Sequence, residues 1–117
     1  MDALSNITFE EFARFVLTTS EHTDMHWERQ TIACHICKYK FSFLGKFETM
    51  ARDANMLFEK LGVTEVNKLP EDGQYDHKAA DYLRQAYAKL PKKLVDDIYE
   101  FYKVDFEAFG YDRHEYF

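Results

Sequence analysis

The sequence predicts a mostly helical chain that carries one or two strands of an α/β fold. Apolar residues recur at helical spacing in four segments, which is typical of amphipathic helices. Residues 39–44 instead alternate aromatic and polar side chains, as a strand does. A single strand cannot satisfy its own backbone groups, so this run needs partner strands, and residues 31–36 are the best second candidate. The shortage of strands indicates that sheet-forming sequence is missing upstream.

A capping box predicts where the first helix begins. Thr8 and Glu11 have the Thr-x-x-Glu form, and an apolar face continues to about Thr18 through Phe9, Phe12, Ala13 and Val16. Thr8 also completes the triplet Asn6-Ile7-Thr8, a glycosylation sequon. The cap is the favoured role, because a hydroxyl engaged at a helix end makes a poor glycan site.

Three more helices follow along the chain. Gly62 stands where a C-cap glycine is expected, after an apolar face formed by Met50, Ala54, Leu57, Phe58 and Leu61. Residues 64–76 are rich in charges and predict a loop. The third helix has the face Ala79, Ala80, Leu83, Ala86, Tyr87 and Leu90. Pro91 can begin the fourth helix, whose face is Leu94, Val95, Ile98, Phe101 and Tyr102.

Composition limits the classes of function. The 117 residues amount to one domain or part of one, and 46% apolar residues allow only a small core. The formal net charge of −6 argues against general nucleic-acid binding, although a local basic pocket could still hold an anionic sugar or nucleotide. No run approaches the roughly 20 apolar residues of a membrane span, and the N-terminus lacks the pattern of a signal peptide.

Most residues that could take part in catalysis or ligand binding lie in two motifs. The first, residues 24–49, contains His26-Trp27, a Cys-x-x-Cys and Gly45-Lys46. The second, residues 102–111, reads Tyr-Lys-Val-Asp-Phe-Glu-Ala-Phe-Gly-Tyr. In this order they resemble the C-terminal portion of the Golgi carbohydrate sulfotransferases, the group that includes the chondroitin and dermatan 4-O-sulfotransferases. The resemblance covers most of the chain and is weakest at residues 63–80.

The resemblance implies a function and a fold. Residues 1–117 would be a single partial domain, the C-terminal region of an α/β fold with a parallel, P-loop-like sheet. The implied activity is transfer of sulfate from 3′-phosphoadenosine 5′-phosphosulfate to a hydroxyl of a glycan, such as a chondroitin- or dermatan-type chain, on the luminal side of the Golgi membrane. The family's membrane anchor and donor-binding motifs have no counterpart here, so we expect this chain alone to bind no donor and to be inactive.

His26 and Trp27 are the candidate catalytic and substrate-binding residues. His26 matches the family's histidine and could remove the proton of the acceptor hydroxyl, while Trp27 could stack on a sugar ring. The alternative is that Trp27 fills the edge of the core and His26 bonds a backbone carbonyl. That alternative is favoured, because no carboxylate that orients His26 is visible in the sequence. Arg29 stands where the family often has Pro, which alters the loop.

Cys34 and Cys37 allow three interpretations. A redox pair needs the first cysteine at a helix N-terminus, whereas this pair precedes the predicted strand. Zinc could bind Cys34, Cys37, His22 and His26, which would make the chain a small non-enzymatic interaction module. The ligand order is unusual for zinc, so we expect no metal and keep the module as the alternative function. A disulfide follows if the chain is luminal.

Gly45-Lys46 does not complete a nucleotide phosphate loop. Lys40 occupies the first glycine position of that motif, and Phe47 stands where Ser or Thr is required. We therefore expect Gly45 to let the backbone turn and Glu48 to support the turn.

The aromatic C-terminus predicts packing. Eight of the nineteen residues from 99 to 117 are aromatic. We expect Phe101, Phe106 and Phe109 to clamp the last helix onto the core. Sugar stacking by Tyr111 or Tyr116 is a minor alternative.

Overall fold

The computed structural model describes residues 6–19, 24–63, 65, 69 and 77–117, and this part of the chain is mostly helical. Its α-helices are α1 (Phe9–Thr18), α2 (Gln30–Ala33), α3 (Met50–Lys60), α4 (His77–Ala88) and α5 (Lys92–Phe109). Short 3₁₀ helices occupy Phe47–Thr49 and Arg113–Glu115. The chain divides into two compact units, Met1–Tyr39 with Lys78–Phe117, and Lys40–His77.

The core of the first unit lies where α1 packs on α5. Ala13 of α1 and Leu94 and Ile98 of α5 are buried together. Partly buried side chains from the rest of the unit surround them, namely Leu17, Tyr87, Leu90, Tyr102 and Phe117. Part of the apolar faces predicted for the first and last helices therefore forms one small core, while Phe9 and Phe12 of the first face are each 39% exposed.

The helix ends follow the predicted chemistry. The Thr8 amide donates to the Glu11 carboxylate at 2.8 Å, and the Glu11 amide donates to the Thr8 hydroxyl at 3.2 Å, which confirms the capping box. Gly62 and Gly110 follow α3 and α5 with φ of 68°, a left-handed conformation that favours glycine. Pro91 is the cap residue of α5 rather than its first residue.

The prediction of strands is wrong for the described part of the chain, which contains none. Residues 31–36 form most of α2 and the turns after it, where the Cys34 amide donates to the Gln30 carbonyl at 2.8 Å. Residues 39–44 form no ladder, because a strand needs partner backbone groups and no described segment supplies them. The predicted loop at 64–76 lies almost entirely outside the described residues.

Phe106 is the centre of an aromatic cluster at the C-terminus. Its ring centroid lies 5.1 Å from Tyr99 and 5.8 Å from Phe117. Tyr111 and Tyr116 also contact Phe106, at 6.4 and 6.1 Å. The packing role predicted for Phe106 is confirmed, and the two tyrosines belong to the same cluster. Over the described residues, no helix combines the length and apolar character that crossing a membrane requires.

Candidate functional site

Helix α5 anchors the loop that carries His26. The Tyr102 hydroxyl donates to the Trp27 carbonyl at 2.6 Å. Asp105 accepts hydrogen bonds from the Gln30 and Thr31 amides at 2.7 and 2.9 Å, which satisfies the first amides of α2. The two motifs found in the sequence are therefore joined in the structure by side chains of the second motif that bind backbone of the first.

Burial keeps the Tyr102 phenol in its donating form. Desolvation, with smaller effects of nearby charges, raises the pKa of Tyr102 to about 12. The hydroxyl therefore remains protonated and able to donate across the physiological pH range.

His26 has a carboxylate partner that the sequence analysis missed. The ring Nδ1 of His26 lies 2.5 Å from Oδ1 of Asp24, and the His26 amide donates to the same oxygen at 2.9 Å. An Asp side chain that bonds the amide two residues later is an Asx turn. The Asp-x-His spacing is the sequence signal that could have predicted this contact.

This contact leaves one ring nitrogen of His26 available. Hydrogen bonds from the His26 amide and then from its ring lower the pKa of Asp24, so the carboxylate is ionised at neutral pH and only accepts. In the neutral imidazole Nδ1 therefore carries the proton, and Nε2 is an acceptor. The His26 side chain is 86% exposed, so Nε2 is open to a substrate hydroxyl.

Trp27 packs on the first helix. Its ring meets Phe12 and Phe15 edge to face, with centroids 5.5 and 6.0 Å apart. The indole Nε1 is buried and has no hydrogen-bond acceptor among the described residues. The structure thus gives Trp27 the packing role weighed in the sequence analysis, while its role in stacking on a sugar stays a prediction.

Cys34 and Cys37 are free and exposed. Cys34 follows the C-terminal end of α2, whereas a redox pair places its first cysteine at a helix N-terminus. Within the described residues no three potential ligands come together to hold a metal, so His26, Cys34 and Cys37 do not form a shared site. His22 lies outside the described residues. The disulfide stays a prediction.

In the second unit, Asp53 of α3 holds the turn at Gly45-Lys46. Its carboxylate accepts from the Lys46 amide at 2.9 Å, the Thr49 hydroxyl at 2.7 Å and the Arg52 guanidinium at 3.0 Å. These bonds, the Lys46 amide above all, lower the pKa of Asp53 to about 2. Asp53 lies outside the motifs recognised in the sequence, although Thr49 and Asp53 have the i,i+4 spacing of helix partners.

The prediction that Gly45 lets the backbone turn is not supported by its geometry. Gly45 does not have positive φ, and an added Cβ would lie 3.5 Å from the Asp53 Cβ, an ordinary contact. The Asp53 carboxylate, rather than glycine's conformational freedom, fixes the turn. Because this anion occupies the Lys46 amide, the turn does not present that amide to a phosphate, in agreement with the rejection of a phosphate loop.

A cleft of about 360 Å³ lies beside the anchored loop in the first unit. Its lining residues come from the loop, α2, the turns after it and α5, namely Arg29, Thr31, Ile32, His35, Cys37, Lys38 and Val104. Cys37 and Arg29 stand out in the sequence for other reasons, and their position in one cleft was not predicted.

Comparison with known proteins gives consistent matches. The model of the Sulfotransferase family matches residues 1–112. Carbohydrate sulfotransferase 9 of Homo sapiens is 30% identical over 113 residues, which cover 92% of this chain and 26% of that protein. Carbohydrate sulfotransferase 11 of Mus musculus is 25% identical over 95% of this chain and 33% of its own length.

A third relative, Carbohydrate sulfotransferase 12 of Xenopus laevis, is 27% identical over 91% of this chain and 26% of its own length. The chain thus spans about a quarter to a third of the length of these curated relatives. No solved structure matches the chain significantly.

Proposed function

This chain belongs to the sulfotransferase family, and we propose that it forms the C-terminal part of a carbohydrate sulfotransferase. The reaction is transfer of sulfate from 3′-phosphoadenosine 5′-phosphosulfate to a hydroxyl of a glycan such as a chondroitin- or dermatan-type chain. The relatives' printed names support the carbohydrate acceptor. In this proposal the parallel sheet of the fold and the membrane anchor lie outside these residues, and the enzyme acts in the Golgi lumen.

The contact between Asp24 and His26 carries the proposal for catalysis. A base that removes a hydroxyl proton needs a free nitrogen and a defined tautomer, and the ionised Asp24 favours both in His26. Nε2 of His26 accepts the proton of the acceptor hydroxyl, and Asp24 holds the ring in the tautomer that leaves Nε2 free. The donor supplies the sulfuryl group and the adenosine 3′,5′-bisphosphate leaving group.

The turn at Gly45-Lys46 is poorly suited to the phosphates of the donor. The turn at Gly45-Lys46 lacks the phosphate-loop residues, and Asp53 already occupies its Lys46 amide. We therefore assign this chain the proton transfer and the binding of the acceptor, and no part of the donor site. The 117 residues alone should not bind the donor tightly or turn over.

Mutation of His26 tests the catalytic proposal. In a polypeptide that carries the whole family domain, His26→Ala should lower kcat by about 10²- to 10⁴-fold with little change in KM, because it removes only proton transfer. His114→Ala is the matched control. His114 also follows an Asp-x-His spacing, its amide bonds Asp112 at 2.9 Å, and it should be neutral. Full activity of the His26 variant would overturn the proposal.

Calorimetry tests the assignment of the donor site. The 117-residue chain should show no micromolar binding of adenosine 3′,5′-bisphosphate. Micromolar affinity would mean that these residues do build a donor site, contrary to the proposal.

A further inference from the structure

We propose that the cleft beside the anchored loop binds an acidic group of the glycan acceptor, a carboxylate or a sulfate, through Arg29 and Lys38 with His35 beside them. This inference rests on the proposed function, because it names the part of the acceptor that the cleft recognises. It adds a specificity site to the proton transfer assigned to His26.

The charge of the lining sets this cleft apart from the rest of the chain. Of the seven lining residues that the structure describes, none is acidic and three carry basic side chains. Residues 29–47 contain four Lys or Arg and no Asp or Glu, whereas the whole chain has 21 acidic and 15 basic residues. A local excess of positive charge in an acidic chain favours binding of an anion there.

Arg29 is held in place before any ligand binds. Its guanidinium lies 4.8 Å from the centroid of the Phe101 ring, and its side chain is 29% exposed. Its contact with Glu28, from Nε to Oε1 at 3.5 Å, is at the limit of a hydrogen bond. The guanidinium is therefore oriented by the ring and by its ion pair with Glu28, and its planar fork of N–H donors suits recognition of a carboxylate or sulfate.

Tyr39 lies beside the other two basic side chains. The Lys38 ammonium is 5.4 Å from the Tyr39 ring centroid, and the His35 ring meets the same ring edge to face at 6.3 Å. Asp105, which follows the lining residue Val104 on α5, accepts hydrogen bonds from two amides of α2.

The remaining lining favours a sugar over the donor nucleotide. Ile32 and Val104 are 44% and 52% exposed and present apolar surface to which the C–H face of a sugar ring can pack. The described lining contains no Phe, Tyr or Trp on which an adenine could stack. Arg29 also follows His26 by three residues in the same anchored loop, close to the proposed reaction centre in sequence.

Calorimetry on the full 117-residue chain at low salt tests this inference. The probe is an unsulfated chondroitin hexasaccharide, and the matched neutral probe is the same hexasaccharide with its carboxylates reduced to alcohols. The reduced probe should bind about tenfold more weakly, because it lacks the charge that Arg29 and Lys38 recognise. Lys38→Gln and Arg29→Gln should each weaken binding of the acidic probe about fivefold. Lys93→Gln removes the same charge from an exposed site on α5 and should leave it unchanged.

Three results would overturn the inference: equal binding of the two hexasaccharides, equal weakening by Lys93→Gln, or no binding of the acidic probe. Displacement of that probe by adenosine 3′,5′-bisphosphate would assign the cleft to the donor instead. Lys38 is exposed, so its variant should keep the helical circular dichroism of the parent chain even if the Arg29 variant does not. The test measures binding rather than turnover, so failure of the catalytic proposal leaves it intact.

Discussion

Asp24 and His26 make the contact on which the proposed chemistry depends. Both side chains are largely in solvent, with 46% of Asp24 and 86% of His26 exposed. The carboxylate can therefore act mainly by fixing the ring and its tautomer, because water screens its charge. An effect of Asp24 should thus appear in the catalytic rate more than in the stability of the fold.

Asp24→Asn should lower kcat about tenfold in a polypeptide with the whole family domain, and should leave KM nearly unchanged, because the amide no longer fixes the His26 tautomer. Steady-state kinetics with a glycan acceptor would measure it. Asp97→Asn is the matched control, since Asp97 is 45% exposed and pairs with Lys93 in a similar way. A variant in which kcat is unchanged would exclude Asp24 as a positioning residue.

Asp53 makes the stability of the Gly45-Lys46 turn depend on pH. Its folded pKa of about 2 lies below the ordinary value of 3.8, so its stabilising contribution is fully present above about pH 4. That contribution is lost as the pH falls from about 4 to 2, because the protonated carboxyl accepts the Lys46 amide less well.

Hydrogen exchange followed by NMR can measure this effect at the Lys46 amide. Asp53→Asn should reduce its protection about fivefold at neutral pH and should remove the dependence on pH between 4 and 2. The Leu61 amide, which donates to the Leu57 carbonyl at 2.9 Å, serves as the internal reference in the same unit. Unchanged protection of Lys46 would show that Asp53 does not hold the turn.

At the scale of the elements, α2 depends on a residue that lies far from it in sequence. Four residues are too few to form a stable helix on their own. The helix has no capping side chain at Arg29, and Asp105 of α5 supplies the acceptor that its first amides need. Tyr102 of α5 holds the preceding loop by donating to the Trp27 carbonyl. Helix α5 therefore positions both the loop and the cleft.

Asp105→Ala should therefore lower the free energy of unfolding by about 1 kcal/mol, the usual effect of losing a helix cap. Chemical denaturation followed by circular dichroism would measure the change. Asp105→Asn keeps one acceptor oxygen and should lose less. Glu107→Ala, on the exposed side of α5, is the control, and an equal loss in that variant would contradict a specific cap.

The helices could be predicted because their signals are local. Each of these signals is contained in one stretch of sequence: the capping box of α1, the apolar faces of α3 and α5, and Gly62. The strand predicted at 39–44 is wrong because alternating aromatic and polar side chains only favour an extended backbone. A strand also needs a partner strand that supplies its hydrogen bonds. Asp105 could not be assigned to α2 because that contact depends on how α5 packs.

At the scale of the whole chain, little apolar surface is fully buried in the described part. The buried apolar residues there are Ala13, Val16, Ala51, Leu94 and Ile98, while large side chains such as Phe15, Met25 and Phe47 are more than half exposed. Large apolar side chains left exposed in such number are often covered by other protein. This agrees with a chain that spans only part of its relatives' length.

The isolated chain should therefore bind the dye ANS and self-associate at micromolar concentration, since exposed apolar surface drives both. Dye fluorescence and sedimentation velocity would measure this. A polypeptide that carries the whole family domain is the control and should show less dye binding per residue. A monomeric 117-residue chain without dye binding would mean that these residues cover their own apolar surface.

Trp27 is the only tryptophan in the chain, and it sits between the first helix and the loop that α5 holds. Its emission should therefore be blue-shifted while the loop is docked and should move to the red when the loop is released. The chain therefore carries an intrinsic fluorescent probe of this loop. Release of the loop can be followed by intrinsic fluorescence on the millisecond scale, and the affinity of sugars for the neighbouring cleft can be titrated without attaching a label.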